Sequence, residues 1–191
     1  MMKQAGNLDC WQARQLMIKA MTEKPKIRFG TIHDLASIVD IYNQAIRSRI
    51  ATGDLDEFKI EDRVVWFEKF DEENPIYIVE VNDNIAGYGT LSPYRPGRGA
   101  MKTIGEISFF LDENFQSKGI GSFLVGHMIR DSHRIGKKTL LAILLDINEK
   151  SIGLLKKFGF QQWGHFPDII ELENQKCSQL VYGLKISSMR Y

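Results

Sequence analysis

Two glycines, Gly119 and Gly121, stand where a loop turns into a predicted helix, within the stretch FQSKGIGSFLVGHMI. The first turn of a helix leaves several backbone N–H groups unpaired at the positive end of the helix dipole. Such a helix start binds anions, and glycine lets a bulky diphosphate approach because no Cβ holds the backbone away. Glycines also punctuate ordinary loops. The pair therefore leaves two interpretations open, a phosphate site and a simple packing feature.

The spacing of this loop argues against two common nucleotide sites. A Walker A loop needs GxxxxGK followed by Ser or Thr, and a Rossmann fingerprint needs GxGxxG near the first strand of its unit. The stretch QSKGIG has neither spacing. A phosphate site here would have to be of another kind.

A carboxylate, Glu106, interrupts the apolar stretch IGEISFFL shortly before the loop. An ionised group in an apolar strand is unfavourable unless it is paired or has a chemical role. Glu106 is therefore a candidate general base, and the alternatives are exposure on one side of the strand or pairing with an arginine. The histidines His127, His133 and His165 lack a metal-ligand spacing, so we expect no metal.

Hydrophobic periodicity and turn signals indicate the elements that position these residues. The predicted order is β-α-α-β-β-β-α-β-α-β-β, which indicates an α/β or α+β sheet with helices on its faces. Gly136 and Gly159 are predicted to end the third and fourth helices. The eleven elements are predicted from KIRFG, TIHDLASIVDIYNQAI, KIEDRVVWFEKF, PIYIVEV, IAGYGTLSPY, GEISFFLD, GIGSFLVGHMIRDSHRIG, TLLAILLD, NEKSIGLLKKFGF, QQWGHF and SQLVYGLKI.

Length and composition limit the class of protein. The 191 residues predict one domain, residues 26–191, after an N-terminal extension, residues 1–25, in which LDCWQARQLMIKAM is a possible amphipathic helix. The net charge of +1 creates no field that would gather nucleic acid. The chain has no apolar run of about 18 residues and no secretory pattern at its N-terminus. We therefore expect a cytoplasmic protein with neither a membrane nor a nucleic acid as partner.

The loop QSKGIG also matches the Q/R-x-x-G-x-G/A signature of the GNAT superfamily of acetyl-CoA-dependent N-acetyltransferases, at the same place between a strand and a helix. Three further stretches resemble that family in the same order, IRFGTIHDLASIVDIYNQAI, IAGYGTLSPYRP and DINEKSIGLLKKFGF. Together they resemble the branch that includes the phosphinothricin, methionine sulfoximine and methionine sulfone acetyltransferases. The resemblance extends from Ile27 to Ile186.

The resemblance implies a mixed, mostly antiparallel sheet of six to seven strands that splays open at its centre, with helices on both faces. Acetyl-CoA would lie in the gap, with its pantetheine arm paired to one strand and its pyrophosphate on the amides of the glycine loop. The start of the following helix would touch the cofactor arm. The implied cofactor-binding residues are Phe109, Phe110, Leu111, Ser117, Lys118, Gly119, Ile120, Gly121, Ser122, Asn148 and Ser151.

The same resemblance gives Glu106 a role, because the branch has a glutamate in a T-V-E-x-S pattern. The matching stretch TIGEIS has one residue more between the threonine and the glutamate. Glu106 would accept the proton that the attacking amine must lose. Many family members place a tyrosine in the last helix to protonate the leaving thiolate, whereas the matching position here is Leu155. Whether this helix supplies a general acid therefore stays open, and the reaction could run with water or without a dedicated acid.

For the acceptor, the branch implies a small amino-acid analogue whose carboxylate suits a bidentate arginine. Arg95 matches the arginine of the family's P-F/Y-R-P segment, Tyr94 is placed to wall the pocket, and Thr52 remains from the family's T-x-N/D-F motif. The resemblance also implies a homodimer. Two alternatives stay open. One is another amine, such as a polyamine, an aminoglycoside or a protein N-terminus, and the other is a non-catalytic acetyl-CoA-binding regulator.

Overall fold

The computed structural model describes residues 24–173 and 175–186. The possible helix LDCWQARQLMIKAM lies outside the described residues. All eleven predicted elements are present in the predicted order. The helices are α1 Leu35–Ser48, α2 Ile60–Phe67, α3 Ile120–Arg134 and α4 Glu149–Lys157. The strands are β1 Lys26–Phe29, β2 Ile76–Val81, β3 Asn84–Pro93, β4 Ile104–Leu111, β5 Thr139–Leu145, β6 Gln161–Leu172 and β7 Gln175–Lys185.

The strands form one seven-stranded sheet in the order β1-β2-β3-β4-β5-β7-β6. Neighbouring strands run antiparallel except for β4 and β5, which are parallel. The β4–β5 pairing covers only three rungs, from Ile104 with Thr139 to Glu106 with Leu141. Beyond these rungs both strands continue without pairing to each other, so the sheet splays at its centre as predicted.

Along β2 the side chains alternate between two hydrophobic cores. Tyr77 and Val79 belong to the main core, which α3 covers, whereas Ile76 and Ile78 belong to a second core, which α1 covers. Because successive side chains of a strand point to opposite faces, α3 and α1 lie on opposite sides of the sheet. The prediction of helices on both faces is confirmed.

The predicted helix ends are also confirmed. Gly136 follows α3 with a φ of 72° and Gly159 follows α4 with a φ of 83°. Only glycine adopts this left-handed conformation without a steric cost, which is why it commonly stands just after a helix. In the described residues, no helix is long and apolar enough to cross a membrane.

The strand β6 differs from the prediction, which ended it at Phe166. It continues to Leu172, with an irregular pairing to β7 between Phe166 and Ile170. Among the described strands, β6 has a neighbour on one side only. An edge strand tolerates a bulge and a proline, here Pro167, because its outer N–H groups bind no other strand.

Candidate active site

A cavity of about 650 Å³ opens between β4 and β5 beyond their last shared rung, and we call it the cleft. Its walls come from the separating strands, the loop after β4, the first residues of α3 and α4, and one side of α1. The structure brings nine of the eleven predicted cofactor residues to this cleft. These are Phe109, Phe110, Leu111, Ser117, Gly119, Gly121, Ser122, Asn148 and Ser151.

The start of α3 presents unpaired backbone donors to the cleft. Gly119 is the N-cap residue, with a φ of 81°, and the first intrahelical bond runs from the Phe123 N–H to the Gly119 carbonyl at 3.1 Å. Among the described residues, no side chain caps this helix start. The amides of Ile120, Gly121 and Ser122 therefore keep their hydrogen-bonding capacity for a ligand, at the positive end of the helix dipole.

The two glycines serve different purposes. Gly119 adopts a left-handed conformation, and a Cβ there would meet open space. At Gly121, a Cβ would lie 3.2 Å from Leu154 Cδ2 and 3.3 Å from Leu111 Cδ1. Gly119 is thus required by the backbone turn, whereas Gly121 lets α3 approach β4 and α4 closely.

Two predicted cofactor residues, Lys118 and Ile120, do not line the cleft with their side chains. The Lys118 ammonium donates to the Asn114 carbonyl at 2.7 Å and lies 5.5 Å from the centre of the Phe115 ring. The Ile120 side chain is buried in the main core. Ile120 thus offers the cleft only its backbone amide, and Lys118 is engaged within its own loop.

The start of α4 is capped, in contrast to that of α3. Asn148 is buried, and its Oδ1 accepts a hydrogen bond from the Ser151 amide at 3.1 Å. Both residues also line the cleft. The Asn148 side chain therefore acts as an N-cap, and its proposed contact with a cofactor stays a prediction.

Glu106 lies at the last shared rung of β4 and β5, where the sheet begins to open. Its side chain is half-buried, and among the described residues it has neither a hydrogen-bond partner nor an ion-pair partner. Burial raises the pKa of the Glu106 carboxyl above its ordinary value. The next two residues of the strand, Ile107 and Ser108, line the cleft. An unpaired carboxylate with a raised pKa thus stands next to two residues of the cleft wall, and Glu106 itself is not among the residues that line the cleft.

Leu155 is buried and lines the cleft from α4. Its side chain is aliphatic, so Leu155 cannot donate a proton at this position.

Unlike most of the predicted cofactor residues, the predicted acceptor residues do not come together at the cleft. Arg95 is exposed, with a φ of 51° and its Cζ 5.7 Å from the centre of the Tyr94 ring, and neither residue lines the cleft. Thr52 Oγ1 lies 2.9 Å from the Tyr42 hydroxyl. The Tyr42 ring packs edge-on against Phe110, which does line the cleft. The structure thus connects Thr52 to the cleft through two aromatic rings and leaves Arg95 outside it.

Sequence reasoning missed Gln44, which lines the cleft from α1. Its Oε1 accepts from the Glu113 amide at 2.9 Å, and its Nε2 donates to Asp112 Oδ2 at 2.9 Å and to Asp40 Oδ2 at 3.0 Å. Gln44 thereby ties α1 to the loop that leads from β4 to the glycines. No local pattern indicates such a contact, because it joins residues 68 positions apart.

Two lysines of α4 were also missed. Lys150 lines the cleft and donates to Gln116 Oε1 at 3.3 Å, and Lys157 donates to Ser122 Oγ at 3.2 Å. Their spacing of seven residues was the available signal, since it places both on one face of a helix. Within the described part of the chain, no group of three or more His, Cys, Asp or Glu residues could hold a metal ion.

Comparison with known proteins relates this architecture to a family. YwnH of Bacillus subtilis, whose name assigns it provisionally to the phosphinothricin acetyltransferases, is 33% identical over 84% of this chain and 99% of its own. The L-methionine sulfoximine/L-methionine sulfone acetyltransferase of Salmonella typhimurium is 28% identical over 75% of this chain and 84% of its own.

Solved structures share the fold. YncA from Salmonella typhimurium, solved with its cofactor acetyl-CoA, superposes with a TM-score of 0.80 at 24% identity, covering 88% of this chain and 98% of its own. The model of the acetyltransferase (GNAT) family matches residues 35–160, which include α1, the cleft and α4. Because this match spans most of the described chain and agrees with its relatives, the protein belongs to the acetyltransferase (GNAT) family.

Proposed function

We propose that this acetyltransferase takes its acetyl group from acetyl-CoA and transfers it directly to the amine of a small, amino-acid-like acceptor in a ternary complex. The observation that carries the proposal is the continuity of the cleft. One cavity extends from the strands that separate after Glu106 to the uncapped start of α3. It lies between two unpaired strand edges and ends at a helix start that is rich in backbone donors, which suits an extended arm that ends in phosphates.

The backbone supports the binding of this cofactor. From Phe109 to Leu111, β4 pairs with β3 on one side and has no strand on the other. Its free N–H and C=O groups can therefore pair with the amides of the pantetheine arm, as an added strand would. The pyrophosphate then lies on the amides from Ser117 to Ser122, where the helix dipole favours negative charge.

Glu106 supports the chemical step. An aliphatic amine is mostly protonated near neutral pH and must lose a proton before its nitrogen can attack the thioester carbon. Burial raises the pKa of Glu106 above its ordinary value, which makes the carboxylate a better base, and it can accept this proton directly or through water. A β4 amide near Phe109 can donate to the developing oxyanion. The carbon–sulfur bond then breaks, and the CoA thiolate takes a proton from water because Leu155 has none to give.

On the acceptor side we propose that Arg95 binds the carboxylate, with Tyr94 and Thr52 as further walls of the pocket. The relatives named for phosphinothricin and methionine sulfoximine support an acceptor of the amino-acid type. A polycation would instead need acidic residues in the pocket, for which Glu57, Asp56 and Glu61 are the candidates. Of these, Glu57 is already paired with Arg47 at 2.7 Å.

We also propose that the protein forms a homodimer. The edge strand β6 carries large apolar side chains that are about half exposed, namely Trp163, Phe166 and Ile169. Exposed apolar side chains on an edge strand are typical of a surface that a partner covers. Light scattering of the protein as it elutes from a size-exclusion column should give twice the mass of the chain. The mass of a monomer at micromolar concentration would refute this part of the proposal.

An acetylation screen tests the function. Release of free CoA from acetyl-CoA is measured with phosphinothricin, methionine sulfone, methionine sulfoximine, common amino acids, polyamines and aminoglycosides, against a blank without acceptor. We expect turnover with the amino-acid analogues above the blank. Turnover with polyamines or aminoglycosides alone would contradict the acceptor assignment while leaving the use of acetyl-CoA intact.

A further inference from the structure

Two lysines of α4, Lys150 and Lys157, have no part in the chemistry of acetyl transfer. They are two helical turns apart and therefore lie on one face of α4. Lys150 donates to Gln116 Oε1 at 3.3 Å, and Lys157 donates to Ser122 Oγ at 3.2 Å. Both ammonium groups thus reach from α4 to the start of α3.

The face of α4 between the two lysines packs directly on the glycine loop. Leu154 lies between them in the sequence and contacts α3 so closely that a Cβ on Gly121 would come within 3.2 Å of its Cδ2. The spacing 150, 154 and 157 forms a continuous stripe on a helix. Lys150 and Lys157 therefore stand on either side of the point where α3 presents its unpaired amides.

The charge of both lysines is uncompensated. Their partners are neutral oxygens, at distances longer than the roughly 2.7–2.9 Å typical of a charge-assisted bond. Among the salt bridges of residues 24–173 and 175–186, none includes Lys150 or Lys157. Two exposed cations thus lie beside a helix start that is already electropositive. Together they suit a ligand with more negative charge than a pyrophosphate alone.

The cofactor of the proposed function carries such a charge. Its pyrophosphate can be satisfied by the amides of the glycine loop, whereas its ribose bears a separate 3′-phosphate, a monoester with nearly two negative charges. A lysine ammonium on a flexible stem suits a solvent-exposed phosphate. Resting on the proposed use of acetyl-CoA, we propose that Lys150 and Lys157 bind the 3′-phosphate and make the enzyme select acetyl-CoA over acetyl-3′-dephospho-CoA.

Steady-state kinetics with the two donors test this selection, using an acceptor found in the screen and a buffer of low ionic strength. The proteins are the wild type, Lys150→Gln, Lys157→Gln, the double variant and Lys156→Gln. The last is the matched control, because Lys156 is an exposed lysine of the same helix outside the 150–154–157 stripe. Thermal unfolding of each variant verifies that the fold is retained.

We expect the wild type to prefer acetyl-CoA by about tenfold in kcat/KM, through KM, as one or two screened charge contacts allow. The preference should fall to about twofold or less in the double variant, with kcat unchanged, and should persist in Lys156→Gln. It should also shrink as salt is added, since exposed charges are screened.

Equal use of the two donors by the wild type would overturn the inference, and so would an undiminished preference in the double variant. Both results would leave the proposed function standing. If the wild type neither binds CoA nor releases it from acetyl-CoA with any acceptor, the proposed function itself fails. The two failures are therefore distinguishable.

Discussion

The two sides of the proposed active site are built in different ways. The cofactor side consists of backbone and of contiguous residues, namely the free edge of β4, the start of α3 and the start of α4. The proposed acceptor side consists of side chains on separate loops, with Thr52 after α1 and Arg95 between β3 and β4. The first set already lines one cavity, and of the second set only Thr52 is connected to it.

This difference shows which part of a site the fold itself determines. Once β4 and β5 separate, unpaired amides and a helix start necessarily face the gap, whatever the side chains are. The acceptor pocket depends on the conformation of exposed loops and, in the proposed dimer, on a second copy. We therefore expect substitutions on the cofactor side to change the KM for acetyl-CoA and those on the acceptor side to change only the KM for the amine.

The largest effect is expected at Glu106, where the two sides meet. Glu106→Gln removes the proton acceptor and should lower kcat by about 100-fold or more, as general-base variants do. The dissociation constant for acetyl-CoA should stay within about twofold, because the carboxylate does not hold the cofactor. Single-turnover rates and calorimetric binding measure the two quantities. Undiminished turnover across the pH range would remove Glu106 from the mechanism.

The raised pKa of Glu106 also predicts how turnover and folding stability depend on pH. The base form is lost as pH falls through this pKa. In the wild type, kcat/KM should therefore fall at acid pH with the slope expected for one proton, and Glu106→Gln should not show this fall.

The folding stability depends on pH in the opposite direction. Because the folded-state pKa exceeds the ordinary 4.5, the wild type loses stability as pH rises through it. Glu106→Gln should therefore melt higher than the wild type at pH 8 and not at pH 4.

The second effect concerns the close approach of Gly121 to Leu154 and Leu111. Gly121→Val forces these neighbours apart and displaces the start of α3. Loss of roughly 2 kcal/mol of its contacts with the cofactor should raise the KM for acetyl-CoA by about 30-fold. Gly153→Ala is the control, since a Cβ on Gly153 meets no described atom within 4 Å. It should leave this KM unchanged and stabilise α4 by about 0.5–1 kcal/mol. A normal KM in Gly121→Val would mean that the helix start does not hold the cofactor.

A third test addresses the acceptor side. Arg95→Ala should raise the KM for a carboxylate-bearing acceptor by about tenfold and leave the KM for acetyl-CoA unchanged, because only the acceptor loses a charged partner. Arg98→Ala, in the same loop, provides the control with equal loss of charge. If both variants behave alike, Arg95 does not bind the acceptor, and the acceptor side must be sought nearer Thr52.

The smallest effect is expected at Gln44, which positions the loop after β4 without adding charge. Gln44→Leu removes its hydrogen bonds to Asp112 and to the Glu113 amide and should raise the KM for acetyl-CoA by about three- to fivefold, with kcat nearly unchanged. Asp40→Ala removes only the partner on its own helix and should have no effect. An equal rise in both variants would indicate a general loosening of α1 instead.

The contrast between local and distant contacts also explains how much of the fold and of the site the sequence could predict. Periodicity and glycine placement predicted all eleven elements, and the family resemblance implied nine cofactor residues that line the cleft. These features depend on residues close together in the chain. The contacts of Gln44 with Asp112 and of Lys157 with Ser122 join residues 68 and 35 positions apart, so no local pattern indicates which residue each side chain reaches. The inward turn of Lys118 onto Asn114 is equally a matter of loop packing.

The central claim is that acetyl-CoA lies between β4 and β5 with its phosphates on the start of α3. Hydrogen–deuterium exchange of the backbone amides, with and without acetyl-CoA, tests it most directly, because it reports on the donors themselves. The account predicts slower exchange at residues 109–111 and 117–122 when the cofactor is present. Unchanged exchange in both segments at saturating acetyl-CoA would contradict it.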